Sequence, residues 1–236
     1  RATDRNARMR FIREARTAAA VQHENIVTIF SVGEERGMPL LVMEYVGGRS
    51  LQEWIDAGRR FETEEVVRLG REIALGLAAA HALRIIHRDI KPANVLLDEE
   101  SGHARITDFG LARAIDSSDL TNHGTVVGTP HYMSPEQVDN QPLGAVSDLF
   151  SLGSLLYALC AGRPPFDAKS VYGTLHLVAN AEPPPLRSLN PSVPHWLAAY
   201  ISSLHTKNPA DRLPSAAAAA DLLQSLWVST RSPANV

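Results

Sequence analysis

The chain has a single cysteine, Cys160, so no disulfide can form within it. Its thiol sits in the apolar run Ser151 to Gly162, which reads as a small core residue in a reducing compartment. No apolar stretch approaches the roughly 20 residues that a bilayer-spanning helix needs, and no charged-then-apolar leader opens the sequence. A soluble, cytoplasmic domain is therefore expected, with the question of a membrane anchor outside the chain left open. Blocks of like charge are also missing. With 23 basic and 26 acidic residues, net −3, nothing favours nucleic acid or a membrane surface as partner. There is no internal repeat. What is present is 236 residues, 44% of them hydrophobic, enough to bury the core of one large domain or two closely packed lobes. The first residue is Arg1, not methionine, and helix-forming sequence follows at once, the pattern expected of a piece of something longer.

Helix formers dominate Arg1 to about Ala20, with Met9, Ile12, Arg16 and Ala19 or Ala20 along one side. Two β-like runs, Ile26 to Val32 and Leu40 to Val46, flank the polar segment Gly33 to Gly37 and predict a hairpin. Gly47 and Gly48 break the pattern, and Ser50 offers an N-cap to a short helix, Leu51 to Asp56. Thr63, followed by Glu64 and Glu65, opens a longer helix that buries Val66, Leu69, Ile73 and Leu77. Short β-like pieces, Asn94 to Leu97 and Ala104 to Thr107, then stand among turning segments rich in His, Arg, Asp and Lys. Loops of that kind carry function. Residues 112 to 129 read as a long loop, the natural place for a regulatory segment. Val146 to Ala161 is apolar nearly all round and predicts a central buried helix. After the loop marked by Pro183-Pro184-Pro185, Trp196 to His205 and Ser215 to Trp227 close the chain as helices.

The string His87-Arg88-Asp89-Ile90-Lys91-Pro92-Ala93-Asn94, followed by Asp108-Phe109-Gly110, resembles the catalytic loop and metal-binding motif of eukaryotic-type (Hanks-type) serine/threonine protein kinases. Either motif alone would be an ordinary turn or salt-bridged loop; their co-occurrence carries the resemblance. Three further strings fall in the family's order: Gly128-Thr129-Pro130-His131-Tyr132-Met133-Ser134-Pro135-Glu136, with Ser134 where many kinases have alanine; Ser147-Asp148-Leu149-Phe150, with Phe150 in place of the commoner tryptophan; and Asn208-Pro209-Ala210-Asp211-Arg212. The string from Gly128 through Gln137 leans toward bacterial members. The resemblance implies an α+β, two-lobed protein-kinase fold: a partial N-lobe over residues 1–46, a mainly helical C-lobe over 47–229 and a tail over 230–236.

It also implies transfer of the γ-phosphate of Mg-ATP to Ser or Thr hydroxyls of proteins, with Mn²⁺ as a substitute metal. Asp89 would orient the acceptor hydroxyl and take its proton, Lys91 would neutralise the transferring group, and Asn94 and Asp108 would hold Mg²⁺. Thr129 would help to select Ser or Thr. His87 would serve mainly as a packing and hydrogen-bonding element beneath Phe109, with no part in proton transfer, Glu136 would pair with Arg212, and Asp148 would tie down the catalytic loop. On the nucleotide side, Glu14 stands where the family places the partner of its ATP-gripping lysine. Met43 matches the gatekeeper, the Glu44 and Val46 backbone would face adenine, and Leu96 would close the pocket from below; these apolar residues read equally well as plain core.

Arg88, beside the catalytic aspartate, would receive a phosphate placed on the activation segment. Thr121 and Thr125 are the leading acceptors, ahead of Ser117 and Ser118, and a dimer would allow trans-autophosphorylation. Ala93, where basophilic kinases often carry glutamate, speaks against a strong demand for arginine in the substrate. The family's glycine-rich loop and strand lysine have no counterpart in residues 1–236, so the chain by itself is expected to bind nucleotide poorly and to leave the hairpin short of sheet neighbours. The rival readings are a non-catalytic, pseudokinase-like scaffold, disfavoured by the presence together of Asp89, Asn94 and Asp108, and a nucleophile-elbow hydrolase, set aside for want of Gly-x-Ser-x-Gly.

Overall fold

A computed structural model describes residues 2–36, 38–109 and 130–231. It opens with helix α1 (Ala2–Ala18), followed by an antiparallel hairpin of β1 (Ile29–Glu35) and β2 (Met38–Met43). The hairpin turns later than the sequence predicts. Gly33, Glu34 and Glu35 pair with Leu40, Pro39 and Met38, so the polar run expected to be the turn is strand, and the reversal falls beyond Glu35, with Arg36 at φ 51°. One face of the hairpin, carrying Val32 and Leu41, is half-buried, and α1 packs against both strands. The opposite face leaves Met38, Leu40 and Val42 exposed.

The linker between α1 and β1 is sewn to the larger part of the molecule. The Asn25 side chain donates to the Ala104 carbonyl (3.1 Å), its carbonyl accepts from the Ile106 amide (2.8 Å), and Val27 donates to Ile106 (2.9 Å). Asn25 is buried, and its side-chain bond, made away from water, fixes α1 relative to the strand that leads into Asp108. A second sheet has three strands in the order β3 (Gly48–Ser50), β4 (Val95–Asp98) and β5 (Ala104–Ile106), all antiparallel. Gly48 is required there by close approach: a Cβ at that position would stand 2.0 Å from the Leu97 carbonyl oxygen.

The rest is helical. Ser50 caps α2 (Leu51–Asp56): its Oγ accepts from the Glu53 amide, and Glu53 reaches back to the Ser50 amide at 2.7 Å. Helix α3 (Thr63–Ala82) buries Val66, Leu69, Ile73 and Leu77 as their spacing requires. After a short helix, α4 (Pro135–Val138), comes α5 (Ala145–Ala161), whose residues Ser147 to Cys160 are all buried. A helix surrounded by protein must satisfy its polar side chains internally. Ser151 donates to the Tyr132 carbonyl at 2.7 Å, and Ser154 meets the His205 ring at 3.1 Å. Burial pushes the Cys160 thiol up to about 12, as befits an unreactive core residue.

Helix α6 (Val171–Asn180) is not anticipated by the sequence reading; Ser170 caps it by accepting from the Gly173 amide. Then follow α7 (Leu186–Leu189), α8 (His195–Leu204) and α9 (Ala216–Arg231), the last capped by Ser215 as expected but running past Trp227. Helices α3, α8 and α9 all pack on α5.

Phe150 keeps its place in this core, stacked on Phe166 at 5.8 Å and edge-on to His205 at 5.2 Å. His205 is fully buried; that burial, with the positive charges of Lys207 and Arg212 nearby, lowers its pKa to about 3. Between about pH 6.5 and pH 3 the unfolded chain therefore binds a proton that the folded one refuses, so stability present above pH 6.5 is lost on acidification. By pH 5 the loss from this ring comes to about 2 kcal/mol, at about 1.36 kcal/mol per pH unit. Urea titrations from pH 7 to pH 5 should show that slope in the parent chain and a flatter one in His205→Gln; equal slopes would remove His205 from the account.

Candidate active site

The segment between α3 and β4 turns sharply because it must bring a loop of charged residues back against the core. Arg88 sits at φ 68° and Asp108 at φ 61°, both in the left-handed region that costs a side-chain-bearing residue roughly 1–2 kcal/mol. Such conformations persist only where neighbours hold them. Asp148, fully buried at the start of α5, accepts from the His87 amide (2.9 Å, Oδ2), the Arg88 amide (2.8 Å, Oδ1) and the His81 ring (2.8 Å, Oδ2). The anchoring role expected of Asp148 is thus matched in geometry. His81 is a partner the sequence reading missed; it lies in the last turn of α3 and no local motif marks it.

His87 is buried, with its ring 4.5 Å from that of Phe109. Its Nε2 lies 2.9 Å from the Thr107 carbonyl, and its Nδ1 accepts from the Asp89 amide at 3.2 Å, which assigns the proton to Nε2. The ring is committed to one bond within the loop and one to the segment before Asp108, in keeping with a packing and hydrogen-bonding role.

Three of the expected residues converge. Lys91 Nζ lies 2.7 Å from Asp89 Oδ2, and Asn94 Nδ2 donates both to that same oxygen (2.9 Å) and to the Asp89 carbonyl (2.8 Å). Asp89 Oδ1 has no partner among the described residues and is the free end of a part-exposed carboxylate. Asn94 is buried in a single 3₁₀ turn (Pro92–Asn94), and its carbonyl accepts from the Thr107 amide at 3.0 Å, drawing the loop of residues 87–94 against the segment that leads to Asp108. With Nδ2 fixed on Asp89, the Asn94 amide leaves Oδ1 without a hydrogen-bond partner among the described residues. Among the described residues Asp108 makes only one long contact, from the Thr107 hydroxyl at 3.5 Å. An amide oxygen and a carboxylate suit a hard cation such as Mg²⁺, which takes one or two protein oxygens and fills its shell with water and phosphate. Among the described residues no group of three or more His, Cys, Asp or Glu could hold a metal by itself.

At the end of the hairpin, Glu44 follows β2. Its amide donates to the Thr28 carbonyl (2.8 Å), and its carboxylate takes the Thr28 amide (3.2 Å) and pairs with Arg105 at 3.5 Å. Met43 is 38% exposed, Val46 is buried, and Leu96 is half-buried in β4. On α1, Glu14 Oε2 is shielded from solvent and has no hydrogen-bond partner among the described residues. Thr129, Thr121, Thr125, Ser117 and Ser118 lie outside the described residues.

Farther out, Glu136 and Arg212 form the expected pair, and its geometry is bidentate, at 2.7 and 2.8 Å. Burial alone would raise the Glu136 carboxyl, but hydrogen bonds from Arg212 and Ser147 hold it below its ordinary value.

Comparison with known proteins gives one consistent answer. The model of the protein kinase domain family matches residues 1–228. Serine/threonine-protein kinase PrkC of Bacillus subtilis is 39% identical over 215 residues, 91% of this chain and 33% of that protein. Serine/threonine-protein kinase PkaA of Streptomyces coelicolor is 39% identical over 218 residues, 91% of this chain and 39% of that one. The chain thus spans about a third of the length of such curated relatives. The crystal structure of the Mycobacterium tuberculosis PknI kinase domain, a double mutant, superposes with a TM-score of 0.74 at 25% identity, covering 93% of this chain and 78% of that one.

Proposed function

The chain belongs to the protein kinase domain family, and from that premise we propose that it supplies the catalytic part of a serine/threonine kinase, passing the γ-phosphate of ATP to Ser or Thr hydroxyls of protein substrates. The observation that carries this reading is the triangle of Asp89, Lys91 and Asn94, in which one carboxylate oxygen is held twice and the other is left free. Phosphoryl transfer asks a protein for position and charge rather than covalent chemistry. Asp89 Oδ1 orients the acceptor hydroxyl and receives its proton. Lys91 lies beside it, placed to neutralise the transferring group. Asn94 and Asp108 would hold Mg²⁺, or Mn²⁺ in its place, and the metal when bound supplies positive charge to the phosphate oxygens. Adenine would meet the Glu44 carbonyl and the Val46 amide, neither of which carries a hydrogen bond among the described residues, between Met43 and Leu96.

The orphaned oxygen of Glu14 supports its reading as the partner of a nucleotide-gripping lysine. The chain's lysines, Lys91, Lys169 and Lys207, form no ion pair with it. On this proposal residues 1–46 are part of an N-lobe, joined at Gly47 to a C-lobe over 47–229 and a tail over 230–236, and residues 1–236 alone grip nucleotide weakly. The Arg88 side chain is exposed and has no partner among the described residues, which supports its reading as the receiver of a phosphate on Thr121 or Thr125, placed there in trans by a second copy; Thr129 would complete Ser/Thr selection.

Ligand-linked stability tests the metal and nucleotide part. In protein expressed from the full reading frame, Mg-ATP at a hundred times its Kd should raise stability by about 2.7 kcal/mol. In Asp108→Ala the dependence of that gain on Mg²⁺ should vanish. A gain that ignores both Mg²⁺ and Asp108 would contradict the assignment.

A further inference from the structure

The peptide unit that joins Arg88 to Asp89 is gripped at both ends. Its N–H, on Asp89, donates to His87 Nδ1 at 3.2 Å; its C=O, on Arg88, accepts from Gln137 Nε2 at 2.7 Å. The Arg88 amide before it is held by Asp148. A residue at φ 68° keeps that conformation only if its surroundings over-determine it. Here three side chains do so, reaching in from the loop itself, from α5 and from α4. The first two belong to the anchoring described above. The third, Gln137, comes from the short helix that follows the residues 110–129.

Gln137 is itself oriented. Its Oε1 accepts from the Ser134 amide (2.9 Å) and from the Ser134 hydroxyl (3.2 Å), so its NH₂ must be the group facing Arg88. Ser134 is fully buried, and the hydroxyl it carries, where many kinases have alanine, supplies one of the two anchors. The chain of contacts runs Ser134 to Gln137 to the Arg88 carbonyl to the Asp89 backbone. A shift of α4 is thereby passed to the carboxylate that must meet the acceptor hydroxyl.

We propose that Gln137 is a positioning residue for phosphoryl transfer: it sets the peptide plane ahead of Asp89 and couples the catalytic loop to the end of the segment between Asp108 and Pro135. This rests on the kinase reading above. It predicts an effect on turnover rather than on nucleotide binding, because Gln137 touches the loop's backbone and no group assigned to adenine or metal.

The test uses protein from the full reading frame, with Gln137→Ala, Gln137→Glu and Gln137→Lys. Alanine removes the donor; glutamate keeps an acceptor for Ser134 but points a second acceptor at the Arg88 carbonyl; lysine keeps a donor. Expected is a fall in kcat of about tenfold to a hundredfold for alanine and glutamate, a smaller fall for lysine, and KM for ATP close to the parent in all three; Tm should fall for alanine and lysine, which both leave buried Ser134 without its acceptor, and stay close to the parent for glutamate, out of step with kcat. Hydrogen exchange read without nucleotide on a peptide spanning residues 86–91 should quicken in alanine and glutamate. Unchanged kcat and exchange, or a kcat that tracks Tm equally through all three variants, would overturn the proposal. A parent protein that transfers no phosphate while the exchange difference persists would instead sink the kinase reading and leave the positioning contact standing.

Discussion

Asp89→Asn is expected to lower kcat for phosphoryl transfer by about 10²- to 10⁴-fold, the range set by loss of a positioned proton acceptor, while leaving Tm within a degree or two of the parent. The asymmetry follows from how the carboxylate is used. Its Oδ2 accepts from Lys91 and Asn94, and an amide oxygen can take over both bonds. Its Oδ1, unpartnered among the described residues, is the atom proposed to meet the substrate hydroxyl, and an amide nitrogen there can take no proton. Steady-state assays at saturating Mg-ATP with a generic Ser/Thr acceptor, beside a melting curve, measure both halves. A variant within tenfold of the parent rate would deny Asp89 its role, and a collapse of Tm would show that the side chain is mainly structural.

Arg212→Ala is expected to cost about 3–5 kcal/mol of stability, the usual cost of stranding one member of a buried ion pair. Five bonds leave its guanidinium: to both oxygens of Glu136 and to the carbonyls of Thr206, Val146 and Lys207, at 2.7 to 2.9 Å. All five N–H donors of the group are used, and the side chain has no exposed surface. Those bonds tie α4, the start of α5 and the loop before α9 into one piece. Arg212→Lys should recover little, because an ammonium has three donors and no planar fork. Urea denaturation of the 236-residue chain supplies the number. A loss below about 1 kcal/mol for alanine, or full recovery by lysine, would mean that water or a rearranged loop replaces the pair.

How much of this was legible in the sequence depended on how local the cause was. Helices with an apolar stripe and a capping serine were readable because both signals lie within a few residues: Ser50, Thr63 and Ser215 each stand at or beside a real start. Helix α6 was not anticipated; its stripe is short, and it begins beyond a run of turn-forming residues. The hairpin turn was misplaced because Gly33 and the two glutamates look like a turn, yet strand register is set by pairing with the other strand and by packing on α1, and neither is local. The same holds at the site. Asp89, Lys91, Asn94 and Asp108 were found because their motif is contiguous or nearly so. Asn25, His81 and Gln137 brace the strand that leads into Asp108, the anchoring Asp148 and the loop itself from 79, 67 and 49 residues away along the chain from the groups they bind, and nothing near them in sequence marks the partnership.

The proposed activity, phosphorylation of protein hydroxyls by the enzyme to which this chain would belong, is measured most directly through its product. Protein from the full reading frame is incubated with γ-labelled ATP, Mg²⁺ and a mixed Ser/Thr/Tyr acceptor, beside the same protein carrying Asp108→Ala, and the labelled amino acids are identified after hydrolysis. Expected are phosphoserine and phosphothreonine, little phosphotyrosine, and loss of the label with the substitution. Label confined to tyrosine, or equal labelling by parent and variant, would contradict it.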